Sequence, residues 1–177
     1  MTIAFDADIA ATLFLLYVIA ERLIELPIAT RNTKRLKAMG GVEHSPGHYP
    51  LIVAVHVGWI LAMVILGHDG PVILGWLLVY AALQVLRVYI LGTLGRRWTT
   101  RIIVLPDERK VTKGPFGIVP HPNYLLVIAE ILVAPLVLGL WEVAAVFGAL
   151  NAMVLVIRVS AEERAWASRS NGPGGSV

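Results

Sequence analysis

The stretch PVILGWLLVYAALQVLRVYIL, residues 71–91, carries one charged side chain, Arg87, in 21 residues. An α-helix needs about 20 consecutive apolar residues to cross the hydrocarbon layer of a membrane, and this stretch has that length. Further apolar runs cover residues 9–26, 51–66 and 123–160. The pattern predicts an all-α integral membrane protein.

The last of these runs is too long for a single crossing. Pro135 and Gly139 interrupt its middle, and both residues disfavour a continuous helix. We therefore expect a hairpin of two helices, near 123–138 and 141–164. The chain then has about five transmembrane helices, the last two of which form the hairpin.

Composition supports a membrane environment. Of the 177 residues, 57% are hydrophobic and only 15% are charged, whereas a soluble domain has roughly 25% charged residues. The absence of cysteine excludes disulfides, thiolate metal sites and cysteine nucleophiles. We expect one membrane domain over residues 1–170 and a disordered tail at 171–177.

The basic residues all fall on one side of the predicted membrane. They fall in 27–50, in 92–122, at helix ends next to these segments, and near the carboxyl terminus. The positive-inside rule accounts for this distribution, so the net charge of +3 does not indicate nucleic acid. We predict an external amino terminus, a cytoplasmic carboxyl terminus and an odd number of crossings. The segment 27–50 is interpreted as a short basic interfacial helix and a loop, and Thr99–Leu105 as extended.

Several charged residues interrupt the apolar runs. Arg87 and Glu130 lie within predicted membrane helices, where charges are costly and usually meet a partner or line a wet site. Each is a candidate structural partner for the other. Glu21, Arg22 and Glu25 are interpreted as an interfacial anchor, with the lining of a site as the alternative.

Two short motifs leave alternatives open. Pro122 suits the first turn of a helix, so His121 either caps that helix or lies beside a ligand at its free N–H groups. Arg158 and Glu162 are four residues apart, and they form either a surface ion pair or part of a site. No P-loop, Rossmann or HExxH motif occurs, and the histidine spacing indicates no metal site.

The ordered set GPF, PHPNY, Glu130 and, after the last apolar run, R…EE resembles the isoprenylcysteine carboxyl methyltransferase family. ERLIEL, GGVEHSPGHYP and LGRRWTTRIIVLPDE extend the resemblance over nearly the whole chain. They look like a compact bacterial branch whose relatives include alkylpyrone and alkylresorcinol O-methyltransferases. The resemblance implies a membrane-embedded methyltransferase that uses S-adenosyl-L-methionine, without a metal, in a bacterial inner membrane.

The family pattern also implies roles for individual residues. Arg158 would hold the acceptor oxygen, and His121 or Glu163 would act as a base where the acceptor needs one. The set implied for cofactor binding is Lys113, Gly114, Pro115, His121, Asn123, Tyr124, Glu162 and Glu163. Two positions depart from the pattern. Pro120 stands where most members have Arg, so that Lys113 or Arg101 is the candidate replacement, and Leu126 stands where many have Gly.

The resemblance implies O-methylation of a carboxylate or acidic hydroxyl on a lipophilic or prenylated substrate, with membrane lipids as the other partners. It also implies that the cytoplasmic loops form the cofactor site and that the cofactor-binding part of the domain is at about 92–166. Methyl transfer to such an oxygen requires alignment and exclusion of water more than proton abstraction. Two alternatives remain: a phospholipid N-methyltransferase, for which carboxylates would matter more than Arg158, and a non-catalytic membrane protein.

Overall fold

The computed structural model describes residues 7–106 and 110–170. This part of the chain is almost entirely helical, with one small antiparallel sheet; the predicted disordered tail lies outside it. The helices are α1 (Ala7–Ala38), α2 (Tyr49–Gly67), α3 (Leu74–Leu94), α4 (Pro122–Val137) and α5 (Trp141–Ser170). The strands are β1 (Val42–His44) and β2 (Ile102–Val104), and short 3-10 turns occupy Pro46–His48, Gly95–Arg97 and Gly114–Gly117.

Helix α1 is longer than the sequence indicated. It continues through Pro27 to Ala38, so the prediction of a separate basic interfacial helix was wrong. The far half of α1 is held by Asn32, whose side-chain amide donates to the carbonyl of Trp98 at 2.8 Å and of Gly95 at 3.4 Å. These tertiary bonds offset the backbone hydrogen bond that Pro27 removes.

Three helical segments are long and apolar enough to cross a membrane: Pro46–Gly67, Leu74–Arg97 and Trp141–Ser168. Helix α4, with 16 residues, extends about 24 Å, less than the hydrocarbon thickness of about 30 Å. Helix α1 is long, but acidic and basic residues interrupt it. The helices support an integral membrane protein, while the count of five crossings and the spanning hairpin stay predictions.

The apolar core lies among all five helices, toward the α4–α5 connection. At its centre Trp59 of α2 is fully buried and donates through Nε1 to the carbonyl of Ile131 in α4 at 3.1 Å. Gly148 of α5 packs so closely on Leu132 that an added Cβ would come within 2.5 Å of it. Many large apolar side chains outside this core are exposed, as lipid contact requires.

A group of charged side chains is buried where α1, α3 and α4 meet. We call Glu21, Arg22, Glu25, Arg87 and Glu130 the buried ionic cluster. Arg87 donates through Nη1 to Glu130, and their side chains are 7% and 0% exposed. The predicted pairing of these two residues is confirmed. A buried pair of this kind requires both members, because one charge left alone in the interior is costly.

The three charged residues of α1 complete the cluster. Arg22 Nη2 lies 2.8 Å from Glu130, Arg87 Nε lies 2.7 Å from Glu21, and Arg87 Nη2 donates to Glu25 at 2.5 Å. The interpretation of these residues as an interfacial anchor was therefore wrong: they face the other helices. The sequence did not reveal this because three charges near a helix end are also typical of a membrane edge.

The predicted extended segment is confirmed in part by β2. This strand pairs with β1 so that Glu43 faces Ile103, and Glu43 accepts a hydrogen bond from Arg101 at 2.9 Å. The Arg101 guanidinium carbon also lies 3.7 Å from the centre of the Tyr49 ring. These contacts hold β2 across the end of the helix bundle, where it forms one wall of a cavity.

Candidate functional site

A cavity of about 370 Å³ lies where α1, α3 and α5 end and α4 begins. This volume is in the range of small-molecule sites in proteins. Its walls combine apolar residues of β2 with both signs of charge. The charged lining residues are Arg97, Arg101, Lys110, Arg158, Glu162 and Glu163, and the aromatic ones are Trp98, Phe116, Tyr124 and Trp166.

His121 stands immediately before α4 in a left-handed backbone conformation, with φ 52° and ψ 50°. Pro122 begins the helix, as predicted. The His121 carbonyl accepts the first helical hydrogen bond, from the Tyr124 N–H at 2.9 Å. This geometry turns the imidazole toward α5, so that its Nε2 lies 2.8 Å from Glu163 Oε1.

Tyr124 connects α4 to α5 at the cavity. Its ring stacks on His121, with 5.4 Å between the ring centres and 13° between the planes. Its hydroxyl donates to Glu162 and accepts a hydrogen bond from Arg158 Nε at 3.0 Å. The phenol therefore joins a cation and a carboxylate that belong to the same helix.

Arg158 is the most deeply placed cation of the cavity, since the residue is only 8% exposed. Its Nη1 donates to the Thr100 carbonyl at 2.9 Å. Within residues 7–106 and 110–170, no carboxylate lies within 4 Å of its guanidinium, so the surface pair with Glu162 that the sequence left open is not formed. A buried guanidinium with neutral partners favours an oxyanion ligand.

The end of the cavity away from Arg158 is more open to solvent. Glu163 has an exposed side chain, 52%, and Lys110 lies 3.1 Å from it. The Lys110 ammonium is also 5.7 Å from the centre of the Trp166 ring. Neither Lys110 nor Trp166 was among the predicted site residues. Helical spacing could have identified Trp166, which lies one turn beyond Glu162 on α5, whereas no sequence pattern points to Lys110.

The predicted cofactor residues fall into two groups. His121, Asn123, Tyr124, Glu162 and Glu163 line the cavity, together with Arg158. Lys113, Gly114 and Pro115 do not line it.

Lys113 immediately precedes the turn Gly114–Gly117, and Gly114 and Pro115 begin it; Gly114 has φ 56°. The lining residues of this connection are Lys110, Val111, Thr112 and Phe116. A cofactor role for Lys113, Gly114 and Pro115 stays a prediction.

The lining suits a ligand with charges of both signs. Carboxylates of Glu162 and Glu163 are suited to an ammonium group or a ribose diol, and Lys110 or Arg101 to a carboxylate. Pro120 lines the cavity without a charge, and Arg101 lines it from the β2 side. Arg101, and not Lys113, therefore supplies a cation on this surface. Among the described residues, no group of three or more His, Cys, Asp or Glu side chains is arranged to hold a metal ion.

Comparison with known proteins agrees with the family resemblance seen in the sequence. Residues 76–168 match the model of the isoprenylcysteine carboxyl methyltransferase (ICMT) family. The uncharacterized protein YpbQ of Bacillus subtilis is 34% identical over 158 residues, which cover 86% of this chain and 94% of that protein. An uncharacterized protein of Haemophilus influenzae is 27% identical over 155 residues, 84% of this chain and 90% of that protein. No solved structure is significantly similar to the chain.

Proposed function

Because the chain belongs to the isoprenylcysteine carboxyl methyltransferase family, we propose that it is a membrane-embedded, S-adenosyl-L-methionine-dependent O-methyltransferase. Its acceptor is a carboxylate or acidic hydroxyl of a lipophilic substrate. Family membership itself supports a membrane methyltransferase; the cofactor, the acceptor oxygen and the residue roles are our proposal. The site would face the cytoplasm of a bacterial inner membrane.

One observation carries the choice of an oxygen acceptor. Arg158 is buried and faces the cavity, and within the described part of the chain its hydrogen bonds go to neutral oxygens of Tyr124 and Thr100. A charge-assisted hydrogen bond from its guanidinium to an anionic oxygen would compensate the buried charge. A carboxylate or an enolate supplies that oxygen already ionised near neutral pH.

The cofactor, when bound, supplies an electrophilic methyl group on a sulfonium. Glu162 and Glu163 would hold its polar parts, and His121 and Tyr124 would form the wall beside them. Arg158 would align the acceptor oxygen, and β2 with the apolar lining would exclude water. Positioning of this kind can account for much of a rate enhancement when the nucleophile is already charged.

A less acidic hydroxyl would need a proton acceptor. His121 is suited to this task because its Nε2 lies 2.8 Å from Glu163, which orients the ring and stabilises an added proton. Tyr124 separates Arg158 from Glu162, so that the cation is available to the oxyanion that forms when the acceptor hydroxyl loses its proton and before it takes the methyl group. The same arrangement therefore serves acceptors over a range of acidity.

The test uses the full-length chain in lipid nanodiscs with methyl-labelled S-adenosylmethionine. Three long-chain acceptors are compared: a prenylcysteine carboxylate, an alkylpyrone enol and phosphatidylethanolamine. We expect label on an oxygen acceptor, resistance of the activity to a chelator, and calorimetric binding of S-adenosylhomocysteine.

Label on phosphatidylethanolamine alone would favour the N-methyltransferase alternative. Absence of S-adenosylhomocysteine binding would favour a non-catalytic protein. The matched control is Arg96→Lys, because Arg96 is an exposed cation that does not line the cavity. Arg96→Lys should label as wild type does, whereas Arg158→Lys should label less.

A further inference from the structure

Trp166 has features of a stacking surface at the open end of the cavity. It is half-buried, lines the cavity, and packs against an apolar cluster formed by Ile102, Val104, Ala161 and Ala165. This packing fixes the plane of the indole before any ligand arrives. Indole faces bind planar bases favourably, and a ring that is already ordered loses little entropy on binding.

The position of Trp166 along α5 is informative. It lies eight residues after Arg158, about 12 Å along the axis, and Glu162 and Glu163 lie between them. The helix thus presents in order a cation, two carboxylates and an aromatic ring. The cation suits an acceptor oxyanion, the carboxylates suit the hydroxyl and ammonium donors of a cofactor, and the aromatic ring suits a purine.

We propose that the purine of S-adenosylmethionine stacks on Trp166, so that the cofactor lies along α5 with its nucleoside end at Trp166 and its reactive end toward Arg158. This inference rests on the proposed function and extends it to the direction in which the cofactor binds. The acceptor oxygen is held at Arg158, so the reactive methyl group must point there. The ribose separates that methyl group from the purine, which then falls toward Trp166.

The other aromatic residues fit this role less well. Trp98 lines the cavity but is only 7% exposed, because protein covers most of its ring. Tyr124 stacks on His121 and binds Arg158 and Glu162. Trp166 has the Lys110 ammonium near its ring, and the long lysine side chain can move aside for a base.

The experiment measures binding, independently of turnover. Full-length wild type, Trp166→Leu and Trp166→Phe are titrated with S-adenosylhomocysteine and with 5′-deoxy-5′-methylthioadenosine, which lacks the amino-acid part. We expect Trp166→Leu to bind both ligands about tenfold more weakly, and Trp166→Phe to stay within about threefold of wild type. Trp141→Leu is the control, since Trp141 begins α5 at the opposite end and is 66% exposed.

A fluorescence measurement covers the case in which Trp166→Leu does not fold. Methylthioadenosine should quench the tryptophan emission of wild type, and the quenching should disappear in Trp166→Phe although the ligand still binds. Unchanged affinity in Trp166→Leu, or full quenching in Trp166→Phe, would overturn the inference and leave the proposed function intact. A wild-type protein that binds neither nucleoside would overturn both.

Discussion

The Tyr124 hydroxyl lies between Arg158 and Glu162, two residues of α5 that are one helical turn apart. It accepts a hydrogen bond from Arg158 Nε at 3.0 Å and donates one to Glu162. The cation and the carboxylate are therefore linked through a neutral group and do not neutralise each other directly. Each keeps its charge for a ligand, which a direct ion pair would not allow.

Replacement of Arg158 tests this arrangement. We expect Arg158→Lys to remain folded and to lose methyl transfer at least tenfold, because a point charge cannot reproduce the planar set of donors to Tyr124, Thr100 and a ligand. Arg158→Ala should lose more activity and also about 1–3 kcal/mol of stability, since the Thr100 carbonyl loses a buried donor. Single-turnover assays and thermal unfolding in nanodiscs provide the two measurements.

The control for this pair is again Arg96→Lys. Full turnover of Arg158→Lys on the true acceptor would remove Arg158 from the acceptor site, whatever its effect on stability.

Substitutions of His121 can separate the effect of its backbone conformation on stability from the effect of its imidazole ring on cofactor binding. Asn adopts the left-handed conformation of this residue readily, whereas a β-branched residue does so only with strain. We expect His121→Val to lower the free energy of unfolding by about 1–3 kcal/mol and His121→Asn to change it little. Both should weaken S-adenosylhomocysteine binding, because both remove the ring that contacts Glu163 and Tyr124.

Thermal unfolding and calorimetry on the same preparations separate the two effects. Equal stability of His121→Val and His121→Asn would show that the backbone strain does not matter. Wild-type affinity in His121→Asn would exclude the ring from the cofactor site.

The stability of the protein should depend strongly on Arg87, the central cation of the buried ionic cluster. Removal of this guanidinium leaves Glu21, Glu25 and Glu130 with Arg22 as their remaining cation, so Arg87→Ala should lower stability by about 3–5 kcal/mol. Val88→Ala is the matched control, because its side chain is 74% exposed and faces away from the cluster. Detergent-induced unfolding followed by circular dichroism measures both, and a similar loss in the two variants would contradict the prediction.

The ionisation of Glu43 should make the folding stability of the protein depend on pH. The hydrogen bond from Lys37 lowers the pKa of Glu43 below its ordinary value of 4.5, and the charge of Arg101 acts in the same direction. The folded state therefore holds this proton less tightly than the unfolded state does. Its contribution to stability is present above pH 4.5 and is lost as the pH falls through the lowered value.

The thermal midpoints of wild type and Glu43→Gln should accordingly differ at pH 7 and converge as the pH falls below 4.5 through the lowered pKa of Glu43. Lys37→Gln should reduce the difference at pH 7, because it removes the main cause of the shift. A difference that stays constant as the pH falls from 7 until the protein unfolds in acid would exclude ionised Glu43 as the source.

The helices were predictable because each apolar run is long and its composition is unambiguous. The limits of α2, α4 and α5 fall within a few residues of the predicted ones, except that α5 continues to Ser170. The continuation of α1 through Pro27 was not predictable. It depends on hydrogen bonds from Asn32 to backbone groups more than sixty residues away, and no local pattern reports such a contact.

The candidate site was predictable only in part for the same reason. His121 and Tyr124 share a motif, and Glu162 and Glu163 are adjacent, so the resemblance located them together. The wall formed by β2 depends on its pairing with β1, which lies in a segment that looked like a loop. Lys110 lines the cavity because the segment after β2 folds across it, and Trp166 lines it because α5 continues beyond Glu163. A short motif contains neither of these features.

The buried ionic cluster also has a bearing on the order in which the chain is made. Its members from α1 and α3 are Glu21, Glu25, Arg22 and Arg87, two acidic and two basic residues whose formal charges cancel. Those helices leave the ribosome before α4, so they can enter the bilayer as a unit whose charges are balanced. Glu130 then arrives with a guanidinium on each of the two earlier helices already available to receive it.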